Sequence, residues 1–178
     1  MQFGKRDIDL GKLKWVVCDF DDTLFIHSDH IGIGDETYRK KVLQYLVGED
    51  VDPWETTQDS IHMYRFLQYL KRKNMDVKFG LCSAVHLPFI SEAKCVYASK
   101  KYDVTFLNIC SNYNSSAYKS KAEVLQLLCD AFNLKFDEVL FIDDSYKNVE
   151  ACAKLGVHAL TPMEVVNFVE KSLEECIG

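Results

Sequence analysis

Short apolar runs alternate along the chain with longer segments in which apolar residues recur at helical spacing. Five runs are predicted to be strands, because each is short, rich in β-branched or aromatic residues and followed by polar residues. The predicted strands cover residues 12–18, 77–82, 104–110, 138–142 and 157–160. The first contains the uninterrupted run Val16-Val17-Cys18, which is typical of a strand buried on both faces.

Segments with apolar residues at three- and four-residue steps separate these runs, as in amphipathic helices. Two helices are predicted at 36–46 and 121–132, the second with Ser120 as its N-cap. A third is predicted from the shared face of Ile61, Tyr64, Leu67 and Leu70. A fourth is predicted from Val149, Cys152 and Leu155 on one face, and it ends at Gly156. Strands that alternate with helices predict an α/β fold with a parallel sheet. Right-handed crossovers then place all strand C-termini at one edge.

Carboxylates follow the first predicted strand directly. Asp19 and Asp21 come after its apolar run, at the strand end where α/β proteins hold their chemistry. A carboxylate at this position can attack phosphorus, and one two residues later points the same way, close enough to share a metal and exchange protons. An acidic turn or helix cap is the alternative that these residues alone leave open.

A second acidic group, Asp143-Asp144, follows the apolar run that ends at Ile142. Asp19, Asp21, Asp143 and Asp144 would repel one another strongly at one sheet edge, so their gathering requires a divalent cation or protonation. Hard oxygen ligands beside a phosphate substrate favour Mg²⁺. One residue of the second pair is also expected to cap the following helix while the other binds metal.

Ser83 and two lysines add groups suited to a phosphate. Ser83 offers a hydroxyl at the end of another predicted strand, although a serine there is also an ordinary turn residue. Lys119 and Lys121 lie just before or at the start of the helix 121–132, where an ammonium is unfavourable unless an anion offsets it. One of them is therefore expected to neutralise the carboxylate and the phosphoryl group.

Length and charge limit the classes of protein that fit. The 178 residues are expected to form one domain, 1–178, with a small lid at about 26–57. The net charge of −6, without a polybasic run, disfavours binding to nucleic acid or anionic membranes. The N-terminus lacks the apolar core of a signal peptide and the seven cysteines are scattered, so a cytoplasmic location is expected.

Taken together, these motifs resemble the haloacid dehalogenase (HAD) superfamily. The segment Asp19-Phe20-Asp21-Asp22-Thr23-Leu24 looks like its nucleophile motif, and the other motifs follow in order: Ser83, a helix-start lysine, and Asp143-Asp144 with Asn148 four residues after Asp144. The resemblance covers nearly the whole chain. It implies a three-layer, Rossmann-like parallel sheet with helices on both faces and a minimal cap insertion.

The resemblance also implies a role for each residue. Asp19 would be the nucleophile that forms an aspartyl-phosphate, and Asp21 the acid that protonates the leaving oxygen and then activates water. Mg²⁺ would be held by Asp19, by the backbone carbonyl of Asp21, and by Asp144 with Asp143 near it. Ser83 would bind the phosphoryl group.

The remaining motif positions have supporting roles in the resemblance. Thr23 would orient the first loop and contact the substrate, and Asn148 would lie behind the last acidic pair and hold it in place. The motif lysine is Lys121 or Lys119. Lys121 is favoured because it directly precedes the periodic helix, which leaves Lys119 as a substrate-binding residue.

The expected activity is Mg²⁺-dependent hydrolysis of a phosphomonoester. The substrate would be a phosphorylated small metabolite, a nucleotide or a phosphoprotein, because a nearly capless site accepts large and small groups. Asp21 disfavours dehalogenation, since family members that break carbon–halogen bonds lack that acid. Two alternatives stay open: a phosphotransferase of the same fold, and a catalytically silent binding or regulatory protein.

Overall fold

The computed structural model describes residues 2–3, 6–27, 35–84, 87–109 and 120–177. Its strands in chain order are β1 (Gln2–Phe3), β2 (Arg6–Asp7), β3 (Trp15–Cys18), β4 (Phe25–His27), β5 (Thr57–Asp59), β6 (Lys78–Leu81), β7 (Phe106–Asn108), β8 (Val139–Ile142) and β9 (His158–Leu160). Its helices are α1 (Glu36–Leu46), α2 (Ile61–Lys73), α3 (Pro88–Tyr102), α4 (Lys121–Phe132), α5 (Tyr146–Lys154) and α6 (Pro162–Ile177). None of these described helices combines the length and hydropathy needed to cross a membrane.

Five of the strands form a parallel sheet in the order β7-β6-β3-β8-β9. This confirms the predicted α/β class, and each predicted strand corresponds to one strand of the sheet. The first strand was predicted too long, because Leu10–Lys12 forms a 3₁₀ turn instead. Asp9 caps that turn by accepting a hydrogen bond from Gly11 N at 3.1 Å, and the extended segment starts only at Trp15.

Alternate residues of β3 face two different helical layers, as the two-residue period of a strand requires. Val16 and Cys18 belong to a core built with residues of α2, α3 and α6. Trp15 and Val17 belong to a second core, built with residues of α4 and α5. The sheet therefore lies between two helical layers, which confirms the three-layer arrangement.

The buried face of α2 differs from the predicted one. Ile61 is 53% exposed, whereas Met63 and Phe66 are buried together with Leu67 and Leu70. Met63, Phe66, Leu67 and Leu70 follow the i, i+3, i+4, i+7 spacing of one helix face, and Ile61 lies on the opposite side. The prediction was wrong at Ile61 and at Tyr64, which is 37% exposed, because it used three-residue steps alone, and these drift around a 3.6-residue turn.

The described part of the predicted lid packs on the core. β4 and β5 form an antiparallel hairpin, and α1 lies against α3. Trp54 fixes this segment: it is 3% exposed and its ring lies 5.2 Å from that of Phe20 and 4.8 Å from that of Tyr97. Residues 28–34 of the predicted lid lie outside the described residues, and a moving lid over 26–57 within a single domain stays a prediction.

Strand register sets where the site forms. Cys18, the last residue of β3, pairs with Leu81 of β6 on one side and Ile142 of β8 on the other. The three strands therefore end at the same level, and the backbone N–H of Asp19 donates to Ile142 O at 2.9 Å. The residues that follow these strands must then meet at one edge of the sheet.

Candidate active site

Asp19 lies at the centre of this edge and is 8% exposed. Its Oδ2 lies 3.0 Å from Lys121 Nζ, whereas its buried Oδ1 has no hydrogen-bond partner among the described residues. Burial raises the pKa of Asp19 to about 6; Lys121 opposes this rise, and the carboxylates of Asp143 and Asp21 add to it. One oxygen of this carboxylate is thus held by a cation, and the other is buried without a hydrogen bond from the described residues.

Lys121 is the first residue of α4 and connects two carboxylates. A capping box fixes the helix start, because Ser120 Oγ accepts from Glu123 N at 3.2 Å and Glu123 Oε2 accepts from Ser120 N at 2.7 Å. Besides Asp19, Lys121 Nζ contacts Asp143 Oδ2 at 2.6 Å. Burial alone lowers the pKa of Lys121, but the two carboxylates outweigh it and hold this pKa above its ordinary value.

Lys119, the alternative motif lysine, lies outside the described residues. Lys121 contacts Asp19, the choice between the two lysines stays a prediction, and the N-cap predicted at Ser120 is confirmed.

The acidic pair after β8 divides between two environments. Asp143 is fully buried, and its Oδ1 accepts from Ser145 N at 2.9 Å and from Asn148 Nδ2 at 3.0 Å. Asp144 is exposed; burial of part of its carboxyl, and then Asp143, raise its pKa. Neither aspartate is the N-cap of α5, which is Ser145, so the predicted cap is wrong; Asp143 instead accepts from the N–H of that cap residue, and Asp144 is exposed.

The residues fit a divalent cation. Asp19, Asp143 and Asp144 each offer a carboxylate oxygen, and these oxygens lie within 4.8 Å of one another. Asp143 Oδ1 already accepts from Ser145 and Asn148, whereas its Oδ2 accepts from Lys121 and keeps a lone pair for an ion beside the oxygens of Asp19 and Asp144. A hard cation such as Mg²⁺ prefers carboxylate oxygens completed by water or phosphate.

Asp21 is held by two side chains that face it from different elements. Lys94 Nζ of α3 lies 2.5 Å from Asp21 Oδ2, and His27 Nε2 of β4 lies 2.8 Å from Oδ1. Burial alone raises the pKa of Asp21, but Lys94 and His27 outweigh it and hold this pKa below its usual range. The side chain of Asp21 is still 42% exposed, so a substrate can reach it.

Ser83 and Thr23 occupy the neighbouring loops. Ser83 is 2% exposed, and its Oγ lies 3.0 Å from Lys94 Nζ and 3.4 Å from Asp21 Oδ2. Thr23 is 1% exposed, and its Oγ1 accepts from Asp144 N at 3.0 Å. Thr23 thus ties the first acidic loop to the last one, whereas a direct substrate contact of Thr23 stays a prediction.

The sequence pattern did not single out Lys94 as a site residue. It lies four residues after Ile90 and four before Ala98, both fully buried, so helical spacing puts it on the buried face of α3. A lysine at such a position was the signal that could have identified it. His27, the last residue of β4, was not singled out as a site residue either. It contacts Asp21.

Solved structures with the same architecture were found, at low sequence identity. A HAD-superfamily hydrolase of subfamily IA, variant 1, from Geobacter sulfurreducens has 15% identity and a TM-score of 0.53, over 85% of this chain and 87% of that chain. A HAD family enzyme from Bacteroides thetaiotaomicron, in complex with magnesium and inorganic phosphate, has 16% identity and a TM-score of 0.52, over 83% and 93%. A predicted HAD-like family hydrolase from Porphyromonas gingivalis has 17% identity and a TM-score of 0.51, over 85% and 91%.

No protein-family model matches the chain, and no curated protein matches it. At these identities the similarity establishes the fold: the chain folds as the HAD-superfamily hydrolases do. The fold predicted from the motifs is thereby confirmed.

The raised pKa of Asp19 gives the first testable prediction. A carboxyl that holds its proton more tightly in the folded protein than in the unfolded chain contributes stability below its unfolded pKa, and this contribution is lost as pH rises through about 6. Asp19→Asn has no such proton to lose. In urea unfolding with a chelator, the free energy of unfolding of Asp19→Asn minus that of the wild type should therefore increase by up to about 3 kcal/mol between pH 4 and 7. A difference that is constant across this range would contradict the burial of Asp19.

Proposed function

We propose that the protein is a Mg²⁺-dependent phosphomonoester hydrolase that acts through an aspartyl-phosphate on Asp19. The observation that carries the proposal is the state of this carboxylate: Oδ2 is held by Lys121, and Oδ1 is buried without a partner among the described residues. A structural aspartate would satisfy both oxygens. A nucleophile needs one oxygen available to its electrophile and a cation nearby to stabilise the charge that develops.

The reaction has two steps, phosphorylation of Asp19 and hydrolysis of the aspartyl-phosphate. An oxygen of Asp19 attacks phosphorus, the bond from phosphorus to the leaving oxygen breaks, and Asp21 passes a proton to that oxygen. Water then attacks the aspartyl-phosphate and gives a proton to Asp21, and the bond from phosphorus to Asp19 breaks to release inorganic phosphate. Because Asp21 is ionised in the free protein, the proton that it passes on enters with the bound substrate.

The other residues stabilise charge around the phosphoryl group. Lys121 lies against Asp19 and offsets negative charge as the phosphoryl group approaches, and Ser83 is available to a phosphoryl oxygen. Asp19, Asp144 and the nearby Asp143, with Asp21 through its backbone carbonyl, would hold Mg²⁺, and Asp143 also keeps Lys121 and Asn148 in place. When bound, Mg²⁺ would polarise the phosphoryl oxygens and offset the repulsion among these carboxylates. The magnesium and phosphate in the Bacteroides enzyme support this choice of ion.

Phosphate release from a panel of phosphorylated metabolites, nucleotides and phosphopeptides, with and without Mg²⁺, tests the proposal. We expect turnover of at least one class that a chelator removes and added Mg²⁺ restores. Turnover that needs an acceptor alcohol in place of water would instead identify a phosphotransferase. If no substrate is turned over at any pH with Mg²⁺ present, the protein is a binding or regulatory protein of this fold.

The outward-facing carboxylate of Asp144 gives a prediction for the ion itself. Asp144→Asn should raise the Mg²⁺ concentration for half-maximal activity by about tenfold or more, because a charged oxygen ligand is replaced by a neutral one. The rise of the melting temperature with added Mg²⁺ should shift to higher concentration by a similar factor. Asp137→Asn, at an exposed position beyond the site, is the control. Unchanged Mg²⁺ dependence in both measurements would remove Asp144 from the ion site.

A further inference from the structure

The buried lysine of α3 belongs to no motif that predicts the site. Lys94 is 3% exposed, and its Nζ lies 4.7 Å from the ring centroid of Phe20. The same ammonium contacts Asp21 Oδ2 at 2.5 Å and Ser83 Oγ at 3.0 Å. One cation from a third helix thus touches both the proposed acid and the proposed phosphate ligand.

Stability of the fold does not account for this lysine. Desolvating an ammonium is unfavourable, and a buried ion pair commonly gives no net stabilisation over apolar residues of similar size. Asp21 is 42% exposed at its side chain, so water could solvate its carboxylate without Lys94. An apolar side chain on this face of α3, beside Phe20, would serve the core equally well.

The contact with Asp21 fixes where its carboxylate lies. Lys94 donates to Oδ2 from the core side and His27 Nε2 lies beside Oδ1, so rotation of the carboxylate would break the charge-assisted hydrogen bond from Lys94. A proton donor must lie within hydrogen-bond reach of the leaving oxygen, and small displacements lower the rate steeply.

The contact with Ser83 fixes the direction of a hydroxyl. An ammonium is only a donor, so Ser83 Oγ accepts from Lys94, and it donates its own hydrogen to Asp21 Oδ2 at 3.4 Å. This bond is long for a hydroxyl donor, so a phosphoryl oxygen that binds beside Ser83 can replace Asp21 as the acceptor. The same lysine therefore sets Ser83 to donate to the phosphoryl group.

We infer that Lys94 is a positioning residue of the proposed reaction: it holds the carboxylate of Asp21 toward the leaving oxygen and the hydroxyl of Ser83 toward the phosphoryl group. This inference rests on the proposed phosphatase function. It adds a residue of α3 to a site otherwise built from the strand-end loops and the start of α4. The Ser83 contact affects every phosphate ester alike, whereas the Asp21 contact affects most the esters whose leaving oxygen needs a proton.

Two substrates of nearly equal shape separate these effects. Phenyl phosphate releases a poor leaving group that needs protonation, and p-nitrophenyl phosphate releases one that leaves readily as an anion. With saturating Mg²⁺, Lys94→Met should lower kcat/KM for phenyl phosphate by about 100-fold and for p-nitrophenyl phosphate by about tenfold. The ratio of the two constants does not depend on the folded fraction, so partial unfolding of the variant cannot produce the expected tenfold change in that ratio.

Two further variants complete the test. Lys94→Arg keeps the cation and should retain a ratio near that of the wild type. Lys101→Met removes an exposed lysine of the same helix, 3.9 Å from Asp59, and should leave both constants unchanged. Equal losses on the two substrates in Lys94→Met, or the same change in Lys101→Met, would overturn the inference while the phosphatase function stands. A wild-type protein inactive on both esters and on every member of the substrate panel would overturn the function and the inference together.

Discussion

Asp19→Asn should lower phosphate release by a factor of about 10⁴ or more, because an amide oxygen cannot take the place of the nucleophilic carboxylate. The variant should remain folded, since Asn keeps the size of the side chain and can still contact Lys121. Steady-state release of phosphate from the best substrate of the panel measures the loss. Acid quench of wild-type turnover, followed by mass spectrometry, should show one added phosphoryl group on a peptide that contains Asp19.

Asp22→Asn is the matched control for this variant. Asp22 lies three residues after Asp19 at a positive φ of 52°, a conformation that Asn tolerates, and its Oδ1 contact with His27 N at 3.3 Å is available to Asn as well. We expect its activity to stay within about threefold of the wild type, on the order of the change at a non-reacting surface residue. Comparable losses in both variants would indicate damage to the loop rather than loss of a nucleophile.

Lys121→Met should lower both stability and activity. It leaves Asp19 and the fully buried Asp143 without their shared cation, and breaking a buried ion pair by removing one partner costs about 3–5 kcal/mol. Urea unfolding near pH 7 in chelator measures this loss. Activity should fall by about 10³-fold, because the charge that stabilises phosphoryl transfer is gone.

Two comparisons make this prediction specific. Lys154→Met removes an exposed lysine that pairs with Glu150 at 3.1 Å, and its effect on the free energy of unfolding should stay below about 1 kcal/mol. The loss in Lys121→Met should shrink as pH falls toward about 6, because without Lys121 the pKa of Asp19 rises further and the variant takes up a proton on Asp19 before the wild type does. A loss below about 1 kcal/mol at pH 7 would show that water already solvates the pair.

Much of the fold followed from local patterns. The apolar runs before Asp19 and Asp143 predicted two buried strands, and the α/β alternation predicted that both end at one sheet edge. Register makes that edge definite, because Cys18 pairs with both Leu81 and Ile142. The bounds of α1 and α4 were also predicted correctly, since each has a capping residue and a periodic apolar face.

Other features needed contacts between distant residues. The burial of Trp54 against Phe20 and Tyr97 holds the described part of the insertion on α3, and no local pattern specifies which helix a short insertion packs against. The different surroundings of Asp143 and Asp144 likewise depend on Lys121 and Asn148, which both donate hydrogen bonds to Asp143. Two adjacent aspartates are equivalent until their partners are known.

By itself, the sequence determined the α/β class, the strand ends that carry carboxylates and the order of the motifs, because these depend on short-range periodicity and chain direction. The tertiary structure alone decided which oxygen of Asp19 contacts Lys121 and which lacks a partner among the described residues, and that Lys94 and His27 contact Asp21 from two other elements. The physical reason is that hydrogen bonds and burial depend on distances of a few ångströms between residues far apart in the chain, whereas a pattern of residue types fixes only the face or the edge on which each side chain lies.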